Sequence, residues 1–384
     1  MSNAAEEAPL DTSVEQPLQP TESEVNELIR SIKDASSPPP AEDLDLFSNA
    51  SYYWDASTMA PLSAASVAAI ARLRAYKPPP FPVWDKLPAS RRAAVLLLLY
   101  ADRRGDLRVV ITMRAASLRS FSGHAAFPGG KADSIEETPY QIARREAWEE
   151  IGLPMDDSKI PSPFRIEYLC SLPCSLARTE LIVRPCVAFL HSSIPAATTS
   201  SDTRTPTVEE ALMPKLDAKE VAAVFSAPFH NFLKKTDEVL PPEREADLPP
   251  GPWYEGQWMH WHEEPWRLHH FYVPVTGQRV TKPKKILPRE AGEEQQHLGA
   301  VAERLEEEEE QVGRYKVWGM TGRILVDAAR VAYAEEPEFE HNSHFGDEKL
   351  IDGLYRLGKL GEKKKVAPQL TREDMDAAKE ASKM

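Results

Sequence analysis

Glu146, Glu149 and Glu150 lie within little more than one helical turn, directly after Arg145 and just ahead of Gly152 and Leu153. Upstream, Phe127-Pro128 leads into a glycine pair, Gly129-Gly130, and then Lys131. At about 100° per residue, the three carboxylates share an arc of about 100° on a helix. Like charges at that spacing repel, costing roughly 0.2–0.5 kcal/mol in a bare helix. A hard divalent cation reverses that sign, because clustered oxygen donors suit Mg²⁺ or Mn²⁺. Arg145 stands four residues before Glu149, spaced to hold that carboxylate by a charge-assisted hydrogen bond. The chemistry indicated is a divalent metal meeting a diphosphate beside a glycine-rich loop. The plainer alternative is a solvated acidic helix face, which Glu-x-x-Glu-Glu alone would ordinarily be.

Positioning those groups requires a helix with defined ends. Thr138 is placed to cap it, with Pro139 at the first helical position and Gln141 closing a capping box. Gly152 and Pro154 supply the stop. Ala147, Trp148 and Ile151 fall opposite the glutamates and are expected to bury against a sheet. Before the helix, residues 93–100 and 107–114 flank Arg103-Arg104-Gly105-Asp106 and read as a β-hairpin. Residues 164–172, 181–190, 220–226 and 266–275 read as strands, and 228–235 as a helix. Residues 315–329 read as a strand turning into a helix. Val67, Ile70, Leu73 and Tyr76 give helical spacing over 62–76, ended by a proline run, and 23–32 reads as a short helix within the arm.

Taken together, Glu137, Arg145, Glu146, Ala147, Glu149, Glu150, Gly152 and Leu153 resemble the Nudix box. That pattern is G, five residues, E, seven residues, R-E, apolar, any, E-E, any, G, apolar. Six residues instead of five separate Gly130 from Glu137, the extra one lying in the loop before the helix. Arg114, Leu118, Arg119, Gly123 and Phe127-Pro128-Gly129-Gly130 further resemble the signature of the coenzyme A diphosphatase branch, in wording similar to its fungal peroxisomal members. Trp318, Gly319, Thr321, Arg323, Ile324 and Leu325 resemble that branch's closing strand and helix, with Thr321 and Arg323 as structural supports. The resemblance runs from about residue 91 to 333 and leaves the insertions between uncovered.

This resemblance implies an α+β fold, the Nudix α/β/α sandwich with a mixed sheet. It implies that Glu146, Glu149 and Glu150, with the carbonyl of Gly130, hold Mg²⁺ or Mn²⁺, and that Glu149, Glu146 and Arg145 serve catalysis. The implied reaction is attack of water on the metal-bound diphosphate of coenzyme A, free, oxidised or acylated. The products would be 3′,5′-ADP and 4′-phosphopantetheine or its acyl form. Arg114, Arg119 and Lys131 are candidate phosphate contacts; the alternative for both arginines is loop support or exposure. His124 occupies a variable position and receives no role. Oxidised nucleotides, ADP-ribose or dinucleotides are the alternative substrates on the same scaffold. A catalytically silent binding module is the remote alternative, disfavoured because all three glutamates are present.

Composition bounds the rest. Against 46 Lys and Arg stand 60 Asp and Glu, a net charge of −14, which disfavours nucleic acid as a partner. With 34 prolines and 42% apolar residues in 384, one enlarged domain with long loops is expected. The expected layout is a disordered arm over 1–45, a helical extension over 46–90 and a hydrolase domain over 91–335. That domain would carry insertions near 192–210, 236–265 and 278–314 and be followed by a tail over 336–384. The odd set Cys170, Cys174 and Cys186 reads as buried thiols. No apolar run reaches membrane-spanning length, and the N-terminus lacks a basic-then-apolar signal. Trp253, Trp258, Trp261 and Trp266 interleave with His260, His262, His269 and His270, reading as aromatic cover for the core edge or as partners for adenine. Residues 281–312 read as a solvated insertion, and Glu220 as a strand-edge charge. Residues 359–381 read as a polar tail presenting Ser382-Lys383-Met384, close to the peroxisomal address Ser-Lys-Leu. The expected partner is then an import receptor and the expected location the peroxisome, with cytoplasm as the alternative.

Overall fold

Apolar side chains follow one another through Arg92–Ala101, as a strand requires when both of its faces are covered. This is β1 of the computed structural model. It describes residues 62–115, 123–192, 221–238, 248–261, 264–275, 278, 280, 282, 313–362 and 370–383. The expectations for residues 1–45, including the short helix over 23–32, for Arg119, Glu220, His262 and Met384, for all of 193–206 and for most of 281–312 lie outside the described residues.

β1 pairs antiparallel with β2 (Leu107–Arg114), the hairpin read from sequence, and parallel with β7 (Ile182–Ser192). β5 (Phe164–Ser171) continues the sheet beyond β7, and β8 (Val221–Pro228) joins along β2. Short strands β3 (Ala125–Ala126), β4 (Gly129–Lys131) and β6 (Ser175–Leu176) pair with β2, β1 and β7. The sheet is therefore mixed. On one face, Ala94, Leu96, Leu98 and Tyr100 of β1 meet Ile142, Ala143, Ala147 and Ile151 of α2 (Pro139–Ile151). On the other, α1 (Ala64–Ala75) lies on β5 and packs against α3 (Gly319–Tyr333). A guanidinium hydrogen bond from Arg72 to the Ala332 carbonyl, 3.1 Å, ties the two helices. Helices on both faces of a mixed sheet make the α/β/α sandwich expected from the resemblance.

A second sheet orders β9 (Tyr254–Trp261), β10 (Glu264–Pro274) and β11 (Arg314–Trp318), all antiparallel. β9 falls where the sequence reading placed an insertion. Its residues alternate without an apolar face, so periodicity carried no strand signal. Trp253, next to it, is fully buried and donates to the Asn231 carbonyl at 3.1 Å, whereas Trp258 is exposed. The stretch 228–235 is not an α-helix; only His230–Leu233 coil, as a 3₁₀ turn, because Pro228 still belongs to β8.

Residues 336–384 depart furthest from a polar tail. α4 (Glu348–Arg356) and α5 (Arg372–Ser382) pack on each other and on the α2 side of the main sheet. Ile351, Leu354, Met375 and Ala378 are buried in the same cluster as Ala147. A capping box at Thr371 and Asp374 starts α5, and its apolar stripe is short enough to be hidden among charges. Ser382 ends that helix, its hydroxyl donating to the Lys379 carbonyl at 2.8 Å.

Cys170, Cys174 and Cys186 are free and buried; burial pushes the thiols of Cys170 and Cys186 up to about 12. Among the described residues no helix is long and apolar enough to cross a membrane. Met375, 1% exposed, measures the C-terminal helices' contribution. Met375→Ala is expected to lose about 2–5 kcal/mol in urea unfolding with an unchanged m-value. A loss below about 0.5 kcal/mol would show that α5 is not part of the core.

Candidate active site

α2 begins as its sequence requires. The Thr138 hydroxyl accepts from the Gln141 amide at 3.3 Å, and the Gln141 carboxamide accepts from the Thr138 amide at 2.9 Å. Gly152 closes the helix in the left-handed conformation, φ 68°. The helix is pressed onto β4 by the glycine pair. A Cβ at Gly129 (φ 156°) would strike the Ala94 carbonyl and Val95, and one at Gly130 would strike the Glu146 carboxylate. Glycine is thus required at Gly129, where the obstacle is backbone, whereas at Gly130 a Cβ would push the Glu146 carboxylate aside.

The three glutamates differ in environment. Glu150 is 7% exposed and accepts from the Gly129 amide at 3.1 Å. Glu146 faces Gly130, and Glu149 is the most open of the three. The shared solvent arc expected from helical spacing is therefore only partly realised, with Glu150 turned toward the sheet. Trp148, expected to bury, is 45% exposed, because the helix packs through Ile142, Ala143, Ala147 and Ile151.

Arg145 is the centre of the arrangement. Its Nε donates to Glu137 Oε1 at 2.8 Å, Nη2 to the Lys131 carbonyl at 2.7 Å and Nη1 to Glu146 Oε1 at 3.1 Å. The contact expected from the four-residue spacing, Nη1 to Glu149 Oε2, is the longest of the set at 3.5 Å. Glu137 wins the guanidinium because it sits just ahead of the cap and is itself fixed, accepting from the Asp133 amide at 2.7 Å. Sequence spacing included Glu137 in the pattern but assigned it no task; its place before the N-cap was the available signal.

Arg114 Nη1 lies 4.0 Å from Glu150 Oε1, and its buried Nε has no hydrogen-bond partner among the described residues. Lys131 is exposed at the end of β4 and uses its carbonyl, not its ammonium, to hold Arg145. Thr321 donates to the Ala125 carbonyl at 3.2 Å, and Arg323 pairs with Asp347 at 2.9 Å. Both are structural supports, as expected.

Burial raises the Glu146 carboxyl above its ordinary pKa, Arg145 opposing and the neighbouring Glu149 adding to the rise. Burial also acts on Glu137, but Arg145 and the Asp133 and Ser134 amides outweigh it and hold that carboxyl low. Among the described residues, no three His, Cys, Asp or Glu side chains already converge as a metal cage. Arg145 occupies the position between Glu146 and Glu149 as the local cation. The donor set that the resemblance implies is nonetheless all oxygen, three carboxylates and a loop carbonyl, and donors of that kind fit a hard divalent ion and not a soft one. The desolvated Glu146 is a carboxylate that such an ion would relieve.

A NUDIX domain profile matches residues 90–174, from the start of β1 to just beyond β5. A peroxisomal coenzyme A diphosphatase of Saccharomyces cerevisiae is 30% identical over 281 residues, covering 71% of this chain and 77% of that protein. The chain belongs to the Nudix hydrolase family. A mitochondrial Nudix hydrolase of Arabidopsis thaliana is 29% identical, covering 65% of the chain and 61% of the relative. A peroxisomal coenzyme A diphosphatase of Caenorhabditis elegans is 30% identical over 39% of the chain and 54% of the relative. As a Nudix hydrolase the protein acts on diphosphate bonds.

The lowered Glu137 carboxyl gives a pH test. Its contribution is complete above the unfolded carboxylate pKa of about 4.3 and is lost as pH falls through the lower folded value. Glu137→Gln is expected to lower unfolding stability at neutral pH by about 1–2 kcal/mol, with the gap to the parent closing below about pH 4. An equal gap at about pH 3 and pH 7 would contradict the Glu137–Arg145 anchor.

Proposed function

We propose that this Nudix hydrolase cleaves the diphosphate of coenzyme A, free, oxidised or acylated, into 3′,5′-ADP and 4′-phosphopantetheine or its acyl form. The observation that carries this reading is the 30% identity to the yeast coenzyme A diphosphatase, which extends across 71% of the chain, well beyond residues 90–174. The Phe127–Gly130 loop of the branch signature supports it, since that loop rests directly on Glu146 and Glu150.

In this proposal Glu146, Glu149, Glu150 and the Gly130 carbonyl hold Mg²⁺ or Mn²⁺. Bound there, the ion would polarise the diphosphate and make water a better nucleophile. In the same proposal Glu149, the most open of the three carboxylates, takes the water's proton. Water adds to one phosphorus as the bridging P–O bond breaks, and the second phosphate leaves with the bridging oxygen. Arg145 is a positioning residue, fixing Glu146 against the loop through Glu137 and Lys131. Arg114, beside Glu150, offers a guanidinium to a phosphate oxygen, with Lys131 and Arg119 as further contacts. We propose the peroxisome as its location, in keeping with the yeast and worm relatives' names.

The test is a product assay with coenzyme A, ADP-ribose, NADH and 8-oxo-dGTP side by side, with Mg²⁺ or Mn²⁺. Coenzyme A is expected to give 3′,5′-ADP with the highest kcat/KM, and Glu150→Gln to lower kcat by at least about a hundredfold. Preference for another diphosphate would overturn the substrate, and full turnover by Glu150→Gln would overturn the metal site.

A further inference from the structure

One face of the second sheet carries chemistry that the glutamate helix does not use. β10 and β11 pair with His270 opposite Trp318 and Tyr272 opposite Lys316. Strand alternation puts these four side chains on one face. The residues between them, Phe271, Val273, Tyr315 and Val317, point the other way and are buried. All four on the outer face are half-buried. The Lys316 ammonium lies 5.5 Å from the Trp318 ring and 5.7 Å from the Tyr272 ring, and His270 meets Trp318 edge-on at 5.9 Å.

This face joins the hydrolytic site through the strand before the glycine loop. The His124 ring lies 4.7 Å from the Trp318 ring. The His124 carbonyl accepts from the Arg114 amide at 3.1 Å, and the Arg114 guanidinium is the one beside Glu150. Burial, with Arg114 and Lys316, holds the His124 imidazole below its usual range. Burial and Lys316 do the same at His270, Glu255 opposing. At neutral pH both rings are therefore uncharged hydrogen-bonding groups, and the positive charge comes from Lys316 and Arg114. No carboxylate among the described residues pairs with Lys316. Glu255, paired with His270 across β9 and β10, accepts from the Tyr272 hydroxyl at 2.8 Å.

An ammonium over an indole, flanked by neutral imidazoles, suits a flat heteroaromatic ring that carries a phosphate. We infer that this face binds the phosphorylated nucleoside end of the substrate, Lys316 meeting the ribose 3′-phosphate and Trp318 the adenine. The inference rests on coenzyme A as the substrate, whose nucleoside half bears that extra phosphate. It assigns the sheet a task in specificity: to separate 3′-phosphorylated diphosphates from those ending in a plain nucleoside. Arg114 then lies between the two halves, near the bond to be cleaved.

The experiment is calorimetric titration of the full chain with 3′,5′-ADP and with 5′-AMP, for the parent, Lys316→Ala and Lys316→Gln, beside hydrolysis of coenzyme A and dephospho-coenzyme A. The parent is expected to bind 3′,5′-ADP about tenfold or more tightly than 5′-AMP. Both variants are expected to bring that ratio close to one, and the ratio of kcat/KM between the two coenzymes to fall in step. Circular dichroism and thermal unfolding check that the variants are folded, and a Lys316→Arg protein should recover part of the preference. A parent without preference for 3′,5′-ADP, or without binding to either nucleotide at millimolar concentration, overturns the subsite. So does a Lys316→Ala protein that keeps the full ratio. If coenzyme A is hydrolysed but the ratio is one, the proposed function stands and the subsite fails. If another diphosphate is preferred while 3′,5′-ADP still binds through Lys316, the subsite stands and the substrate assignment fails.

Discussion

One guanidinium holds the candidate active site together. Arg145 is largely buried, and it ties the residue before the α2 cap, the end of β4 and a carboxylate of the next helical residue into one unit. Three acidic side chains within a turn would otherwise repel each other in a partly desolvated place. Arg145 offsets that repulsion, and Glu137 in turn offsets the charge of Arg145. A guanidinium serves here because its planar fork addresses several acceptors at fixed angles; an ammonium would supply charge without the geometry. In the described structure this cation lies between Glu146 and Glu149, so occupation by a divalent ion requires these carboxylates to share themselves between two positive groups.

The rest of the fold serves that unit by close approach. β1 is apolar on both faces, so it can lie under α2 while pairing with β4 and β7. The glycine pair removes the two Cβ atoms that would separate the loop from Ala94 and from Glu146. Glu150 then reaches the Gly129 amide, which makes loop position and carboxylate position a single variable. On the far side, Thr321 links the start of α3 to β3, so the second sheet is referenced to the same strand that leads into the glycine loop. A specificity face on β10 and β11 is consistent with that link, because its distance from the bond being cleaved is set by the scaffold.

Much of this was legible in the chain where local rules dominate. The capping box at Thr138, the stop at Gly152, the hairpin around Arg103–Asp106 and the spacing of the glutamates all depend on neighbours in sequence, and the structure keeps each of them. What escaped depended on partners far away. Helical phase put Trp148 inward, but the sheet contacts a face centred on Ile142, Ala143 and Ala147, leaving the indole outside. Spacing offered Glu149 to Arg145, whereas Glu137 took the stronger bonds because the loop had already fixed it. α5 hid its two buried residues, Met375 and Ala378, among charges, and β9 has no apolar period to reveal it. The pairing of Lys316 with Tyr272 and of Trp318 with His270 crosses the unmatched stretch between β10 and β11, so no local pattern could join them.

The central claim is that the turn of glutamates held by Arg145 is a cation site. Equilibrium Mn²⁺ binding by electron paramagnetic resonance, on the parent and on Glu150→Gln, addresses it without substrate. The account predicts saturable binding by the parent, competed by Mg²⁺, with an affinity at least about tenfold weaker in Glu150→Gln. Equal affinity in the two proteins would contradict it.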